Sequence, residues 1–575
     1  MSLNIDLKRK SILNCNTNLL VIGGPGSGKT TIALAKAFKY IEDNNLNRGQ
    51  KVLFLSFSRN AKSRILQSSS NFSEHKKFGK QLYVQTFHAF FLEIIKTHCY
   101  LLGSPKKITI IPPHDEDALR LNRNENDEIW VKEKDNLLYM EGKITFDRFS
   151  KVALEIIVKS NRIRKTLANT FPLIIVDEAQ DTDAEQWEFI KLFNHISQLI
   201  LLGDLDQQIF DYRPDINPER INSIKEFLSP IEITLESENY RSPNSEILYF
   251  ARDVLNNTPR NGTYKGVTSL IYSPQVQHRD KWIRSSIGIL KETIKRETGE
   301  YPQSIAILCP WAKGVKMISA ALRAKEINHR VQFDVTETNL SSRMIACLLE
   351  PILNEKQHLL WVLNILKDFY SATGKENEIK KYNSWIEKVY SDKKPGGTTV
   401  SYFINLINEL RNMQLSGNPS KDWRFIQQKL LTCSVGAIKS FASHSEYLIA
   451  YNQGKIIMRD LTQTWIENKC YANARGILQR AIVEAQLSGD VASEVGINVM
   501  TTYKAKGKEF DGVIIFQNQY NAPLELRGDN PVTFQRSRKL FLVAVTRACH
   551  HVFILRQAGL PSPLLDRFTL NGLRN

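Results

Sequence analysis

The chain has 575 residues, 42% of them hydrophobic, with 77 Lys+Arg against 60 Asp+Glu and a formal net charge of +17. That length and composition supply several packed domains and exclude a disordered or fibrous protein. The basic excess points to a polyanionic partner, either nucleic acid or an anionic membrane surface.

In chain order, the first predicted element is a short apolar strand, Leu19–Ile22. It runs into Gly23-Gly24-Pro25-Gly26-Ser27-Gly28-Lys29-Thr30, which fits GxxxxGK[ST], and an amphipathic helix, Thr31–Glu42, follows. A strand before and a helix after are the context a P-loop requires. Its glycines let backbone N–H groups converge on phosphate oxygens, and the helix N-terminus adds a positive dipole end. Lys29 is placed to reach the β- and γ-phosphates, Thr30 to ligate Mg2+, and Thr31 completes the nucleotide-binding set.

Further Val/Ile/Leu runs follow at Val52–Leu55, Leu173–Val176, Leu199–Leu202, Ile231–Leu235, Ile305–Leu308, Val513–Phe516 and Val552–Leu555. Continuous apolar runs of this length suit parallel strands buried on both faces. Amphipathic stretches such as Ala184–Phe193 alternate with them, so an α/β architecture is predicted. The run Leu173–Val176 ends in Asp177-Glu178. Beside a P-loop, that pair places Asp177 near the metal and Glu178 as general base for the attacking water. Two stretches lack the strand pattern, a polar one over 92–165 and a helical one over 356–489, and both read as insertions.

The charge is uneven. Residues 51–110 hold ten Lys/Arg against two Asp/Glu, residues 501–560 nine against four, and residues 111–150 six against ten. Seven scattered cysteines without a CxxC pair read as free thiols of a cytoplasmic protein. No apolar run approaches the roughly 18 residues of a membrane helix, so no membrane attachment is expected.

Asp177-Glu178-Ala179-Gln180-Asp181 resembles the corresponding motif of the UvrD/Rep/PcrA group of superfamily 1 helicases. Six more segments are similar to that group's motifs, in order. They are Ser56–Ala61, Thr86-Phe87-His88-Ala89-Phe90, Gly203–Phe210, Asn239-Tyr240-Arg241-Ser242, Thr501–Phe510 and Val543–Ala548. The resemblance implies two RecA-like cores with ATP between them, each carrying a largely helical insertion. The first core would be residues 1–91 and 166–235, with an insertion over 92–165. The second would be 236–355 and 490–575, with an insertion over 356–489.

The resemblance also implies ATP-dependent movement along single-stranded DNA, usually 3′→5′, with unwinding of tailed duplexes. It implies Arg241 and Arg547 as arginine fingers, Gln207 as γ-phosphate sensor, Tyr240 as adenine-stacking ring and Glu509 as ribose contact. Expected DNA contacts are Phe57, Arg59, Thr86, Phe87, His88, Phe210, Tyr212 and Arg213, with aromatic rings as stacking platforms. Arg59, Lys62 and Arg64 read either as phosphate contacts or as a solvated helix face.

The sequence departs from the group at three places. Residues 1–18 contain no glutamine, and Lys8 stands near the position from which relatives read adenine, so base selectivity stays open. Tyr503 and Lys508 replace a histidine and a leucine. An alternative reading is a translocase or nucleotide-sensing subunit of an anti-phage complex of the Gabija type, working with a nuclease subunit.

Overall fold

A computed structural model describes residues 6–57, 59–103, 107–112, 116, 119, 128–209, 216–235, 240–332, 336–372, 375–445, 452–487, 494–520 and 522–573. Strands are numbered in chain order. They are β1 (Leu19–Ile22), β2 (Val52–Ser56), β3 (Leu82–Thr86), β4 (Thr109–Ile111), β5 (Lys143–Thr145), β6 (Leu173–Val176), β7 (Gln198–Gly203), β8 (Ile231–Thr234), β9 (Val267–Tyr272), β10 (Ser304–Cys309), β11 (Arg330–Gln332), β12 (Gly496–Thr501), β13 (Phe510–Phe516), β14 (Ala548–Gln557) and β15 (Asn571–Leu573).

Two parallel sheets carry the α/β part of the chain. The first has the order β3-β2-β6-β7-β1-β8 and the second β11-β12-β10-β13-β14-β9-β15. In the first, Leu19 of β1 sits opposite Ile200 on one side and Ile231 on the other. The inner strands β2 and β6 are buried at every residue, as expected where helices cover both faces of a parallel sheet. At the edges the pattern changes: β3 alternates buried and half-buried residues, and β8 buries only Ile233.

The carboxyl ends of β1, β2, β6 and β7 lie side by side, so Gly23, Ser56, Asp177 and Asp204 leave the sheet at one edge. Gly23 N donates to Gly203 O at 3.2 Å and Asp177 N to Leu55 O at 2.9 Å. Ligands of open parallel sheets bind at that edge. The second sheet offers the opposite ends of its strands there. Glu509 precedes β13, Arg547 precedes β14, and Phe510 N donates to Arg547 O at 2.9 Å.

The chain divides into two compact units, and both sheets lie in the first: Met1–Phe91, Ser150–Phe333 and Val491–Asn575. The second unit comprises Leu92–Phe149 and Asp334–Asp490. Its longer segment is helical, packed around a core that includes Leu340, Trp385, Phe403, Trp423 and Tyr471. The shorter segment contains the parallel pair β4 and β5.

The divisions differ from the expected insertions at two edges. Residues 150–165 belong with the sheets, where Ser150 Oγ donates to Asp183 Oδ2 at 3.2 Å. The helix Thr336–Leu349 belongs with the helical unit, because Leu340, Met344 and Ile345 are part of its core.

Candidate nucleotide and nucleic-acid site

The loop after β1 is shaped by its glycines. A Cβ on Gly23 would stand 2.6 Å from Ser27 Oγ. Gly26 and Gly28 have φ of 76° and 83°, a region where a side chain is strained. Gly28 then caps the helix Lys29–Asp43. Lys29 turns back over the loop. Its Nζ donates to Gly23 O and, at 3.1 Å, to Gly24 O, and lies 3.4 Å from Asp204 Oδ2. Ser27 Oγ is buried without a hydrogen-bond partner, an orphaned donor inside the loop.

At the end of β6 the backbone of Glu178 takes the left-handed conformation, φ 54° and ψ 42°, which a residue with a Cβ rarely adopts. This turn sends Asp177 and Glu178 off the sheet edge together. Burial and then the Glu178 charge push the Asp177 carboxyl up to about 6, against the pull of Arg64 and Lys29. Burial also disfavours the ionised form of Glu178. Lys506, Lys29 and the hydrogen bond from Gln180 outweigh it and hold Glu178 below the usual carboxylate range. The two neighbours are thus driven apart, with Glu178 the more readily ionised.

A line of hydrogen bonds continues from Glu178. Gln180, fully buried, donates to Glu178 Oε2 at 2.6 Å and accepts from Asp204 N at 3.0 Å. Asp204 Oδ2 accepts from Gln207 Nε2 at 2.6 Å, and Gln207 Oε1 accepts from Arg547 Nη2 at 2.9 Å. The line therefore starts at the end of β6 in one sheet and finishes beside β14 of the other. Lys506 runs parallel to it. Its Nζ forms a short ion pair with Asp181, lies 3.7 Å from Glu178 Oε2, and donates to Gln207 O at 2.7 Å. Burial and the neighbouring arginines Arg241 and Arg64 lower the Arg547 guanidinium to about 9.

Arg241 Nε donates to Glu509 Oε1 at 2.9 Å and its Nη1 to Thr546 O at 2.8 Å. Arg64 Nη1 reaches the same Glu509 oxygen at 2.8 Å. Burial alone would raise the Glu509 carboxyl, but Arg241, Arg64 and Arg547 hold it down at about 2. Tyr240 N donates to Gly26 O at 3.2 Å, which sets its half-exposed ring beside the loop, and Arg9 packs on that ring 5.2 Å from its centre. Arg9 Nη2 also donates to Ser27 O at 3.2 Å, whereas Lys8 is exposed.

Lys29, Asp177, Glu178, Gln207, Arg241, Tyr240, Glu509 and Arg547 are therefore gathered at one cleft with the glycine loop. Thr30 and Thr31 sit in the first turn of the helix behind it. Lys508 does not face this cleft with its charge, since its Nζ donates to Gln332 Oε1 at 2.6 Å. Tyr503 packs against an apolar group containing Ile209, Leu526, Leu540 and Val543.

The expected DNA contacts fare less evenly. Phe210, Tyr212 and Arg213 lie outside the described residues, as does the side chain of Arg59. His88 is exposed and Phe57 half-buried. Thr86 Oγ1 accepts from Ala89 N at 3.2 Å, so this hydroxyl caps the start of the helix Phe87–His98. Phe87 is a correction. Its ring is 1% exposed, with its centre 5.7 Å from that of Phe91, and a ring packed in the core presents no face to a base.

Arg64, read as a phosphate contact or a solvated position, reaches Glu509 Oε1 at 2.8 Å instead of standing free on the helix surface. Sequence reasoning assigned no role to Gln180, Asp181, Asp204 or Lys506. Their signal was present, since all four stand inside the helicase-like motifs. Arg9 had no such signal.

Comparison with known proteins identifies the family. A family profile described as the UvrD-like helicase C-terminal domain matches residues 233–557, more than half of the chain, and one described as an AAA domain matches residues 10–213. The chain is 22% identical to a probable DNA helicase II homolog of Mycoplasma capricolum, over 96% of this chain and 84% of the relative. It is 21% identical to the ATP-dependent DNA helicase Rep of Buchnera aphidicola subsp. Schizaphis graminum, over 96% and 93%. It is 22% identical to the exonuclease/helicase subunit RexA of Lactococcus lactis subsp. cremoris, over 66% and 36%. With the P-loop, the paired carboxylates and the arginines of the second sheet in one cleft, the chain belongs to the UvrD-like family of superfamily 1, the ATP-dependent DNA helicases of the UvrD/Rep/PcrA group.

Proposed function

We propose that the chain moves 3′→5′ along single-stranded DNA at the expense of ATP and separates the strands of tailed duplexes. The observation that supports a motor is the hydrogen-bonded line Glu178–Gln180–Asp204–Gln207–Arg547, which ties the P-loop sheet to the second sheet, and the direction is the one the family resemblance implies. A change at the γ-phosphate is then felt by both sheets at once, as a motor that steps by changing the contacts between two cores requires.

In this reading Lys29 exchanges the carbonyls of Gly23 and Gly24 for phosphate oxygens. Glu178, held ionised, takes a proton from the attacking water. Arg241 and Arg547 face charge developing on the γ-phosphate. Thr30 and Asp177 form an oxygen-only donor set, which suits Mg2+. Among the described residues no cluster of three or more His, Cys, Asp or Glu could hold a metal alone, so such an ion would also need phosphate oxygens. When bound, Mg2+ would supply positive charge that offsets the triphosphate's negative charge. The nucleic acid would run over the basic segments 51–110 and 501–560, with His88 and Phe57 as reachable rings.

The test is strand displacement with ATP on duplexes carrying a 3′ or a 5′ single-stranded tail. Displacement of the 3′-tailed duplex supports the reading, and displacement of the 5′-tailed one alone reverses the direction. A second reading, a translocase that works beside a nuclease, draws on the name of the Lactococcus relative, an exonuclease/helicase subunit. Weak displacement by the chain alone that rises when a nuclease partner is added would favour it.

A further inference from the structure

The helix Arg59–Ser70 carries Arg64 to the nucleotide cleft from the P-loop side. Arg64 Nη1 lies 2.8 Å from Glu509 Oε1, and that same oxygen is 2.9 Å from Arg241 Nε and 2.7 Å from Arg241 Nη2. Two guanidiniums, one from the helix Arg59–Ser70 and one from the segment between β8 and β9, thus converge on one carboxylate oxygen. Arg547 stands close enough to act on the same carboxylate. Three arginines thus act on one glutamate, with Asp177, Glu178 and Glu494 also near Arg64, and a γ-phosphate would compete with Glu509 for Arg241.

Arg241 cannot meet a phosphate without giving up Glu509. If Arg241 were the sole partner, its departure would leave a partly buried carboxylate unpaired, an unfavourable state. Arg64 changes that. It repels Arg241, competes for the same oxygen, and keeps Glu509 paired after Arg241 has left. We propose that Arg64 is a positioning residue for the triphosphate: it holds Glu509 while Arg241 transfers to the γ-phosphate, and so favours ATP over ADP. The inference rests on the reading of Arg241 as a γ-phosphate contact. It does not require Arg64 to touch nucleotide or DNA.

The experiment measures binding of a fluorescent non-hydrolysable ATP analogue and of fluorescent ADP to the full chain. The variants are Arg64→Gln, Arg64→Lys, Glu509→Gln, Arg64→Gln/Glu509→Gln and Arg241→Gln. Arg64→Gln is expected to weaken the triphosphate roughly tenfold and to leave the diphosphate within about twofold, the size of effect given by one lost charge-assisted hydrogen bond. Arg64→Lys should recover part of the loss, because the cation remains while the fork does not. In the Glu509→Gln background, Arg64→Gln should cost at most about twofold more, since no carboxylate is left to strand.

Equal losses of triphosphate and diphosphate would mark a merely structural role and overturn the proposal. So would a full loss in the Glu509→Gln background. If Arg64→Gln does not fold, Arg64→Lys must still lower the ratio of triphosphate to diphosphate affinity, and an unchanged ratio overturns the proposal. Arg241→Gln separates the two levels. A lowered ratio there with an unchanged ratio in Arg64→Gln overturns this inference alone. An unchanged ratio in Arg241→Gln overturns the reading of Arg241 and this inference with it.

Discussion

Arg547 Nη2 donates to Gln207 Oε1 at 2.9 Å, and this bond joins the end of one parallel sheet to the start of a strand in the other. Arg547 is 1% exposed and is also held by Val543 O and Lys508 O at 3.0 and 3.3 Å. Gln207 is anchored by its amide on Asp204. Both side chains are therefore fixed before a phosphate arrives, as electrostatic stabilisation of a transition state requires.

Gln207→Ala removes the acceptor for Arg547 and the donor to Asp204 together. A buried charged group left short of a partner costs about 1–3 kcal/mol, so the ATPase kcat should fall roughly tenfold to a hundredfold. Affinity for ATP should change much less, because Lys29 and the glycine loop are untouched. Steady-state kinetics with single-stranded DNA present would show this as a fall in kcat at a nearly constant KM.

Lys506 is the cation on which Asp181, Glu178 and the carbonyl of Gln207 converge. Asp181 has no exposed surface. Lys506→Met should therefore destabilise the first unit by about 3 kcal/mol, in the range for breaking one side of a buried ion pair. Asp181→Asn in the same chain should recover part of that loss, because a neutral amide needs no counter-ion. Thermal unfolding midpoints of the three variants decide it, and no recovery in the double variant would show that the pair is not what Lys506 stabilises.

Glu509 links the cleft to acid stability. Its folded value is near 2, against an ordinary 4.5. Unfolding takes up a proton between those two values, so ionised Glu509 favours the folded chain above about pH 4.5 and this contribution is lost as the pH falls toward 2. The side chain is 36% exposed, so solvent screens part of the effect. The stability advantage of the wild type over Glu509→Gln should therefore be largest at neutral pH and should shrink at about pH 3. Urea unfolding midpoints at the two pH values test it.

The basic segments imply a salt response. Residues 51–110 carry ten Lys/Arg against two acids and residues 501–560 nine against four. Affinity for single-stranded DNA should fall steeply with salt through counterion release, roughly a power law over about 50–200 mM. Fluorescence anisotropy with a labelled oligonucleotide measures the slope. A flat response would remove the backbone contacts from the account.

Much of the fold was legible in the apolar runs. β1, β2, β6, β7, β10, β13 and β14 are buried on both faces, and that burial writes continuous Val/Ile/Leu stretches. The strands without such a stretch have physical reasons for lacking it. β3 is an edge strand and alternates. In β12 the polar Asn498 is buried because its amide donates to Glu494 O at 2.7 Å and Gly496 O at 3.2 Å. β9 carries Ser269, a polar residue that is buried all the same.

The nucleotide site was legible for a different reason: the P-loop and the paired carboxylates are local in sequence, so spacing alone announces them. Arg64 was not, because its direction is decided by Glu509, 445 residues away. Phe87 misled in the opposite sense. It stands in a motif of DNA-contacting relatives, yet its ring fills the core of the helix it opens. Helix ends moved by one or two residues, from Thr31–Glu42 to Lys29–Asp43 and from Ala184–Phe193 to Ala184–Lys191.

The most direct measurement is the rate of ATP hydrolysis as single-stranded DNA is added to the wild type and to Glu178→Gln. A motor whose two sheets are coupled through Gln207 and Arg547 should hydrolyse ATP slowly alone and many-fold faster with DNA. Glu178→Gln should lower the stimulated rate by about 10²–10⁴, the usual contribution of a general base. Equal rates with and without DNA, or a Glu178→Gln rate close to the wild type, would contradict the account.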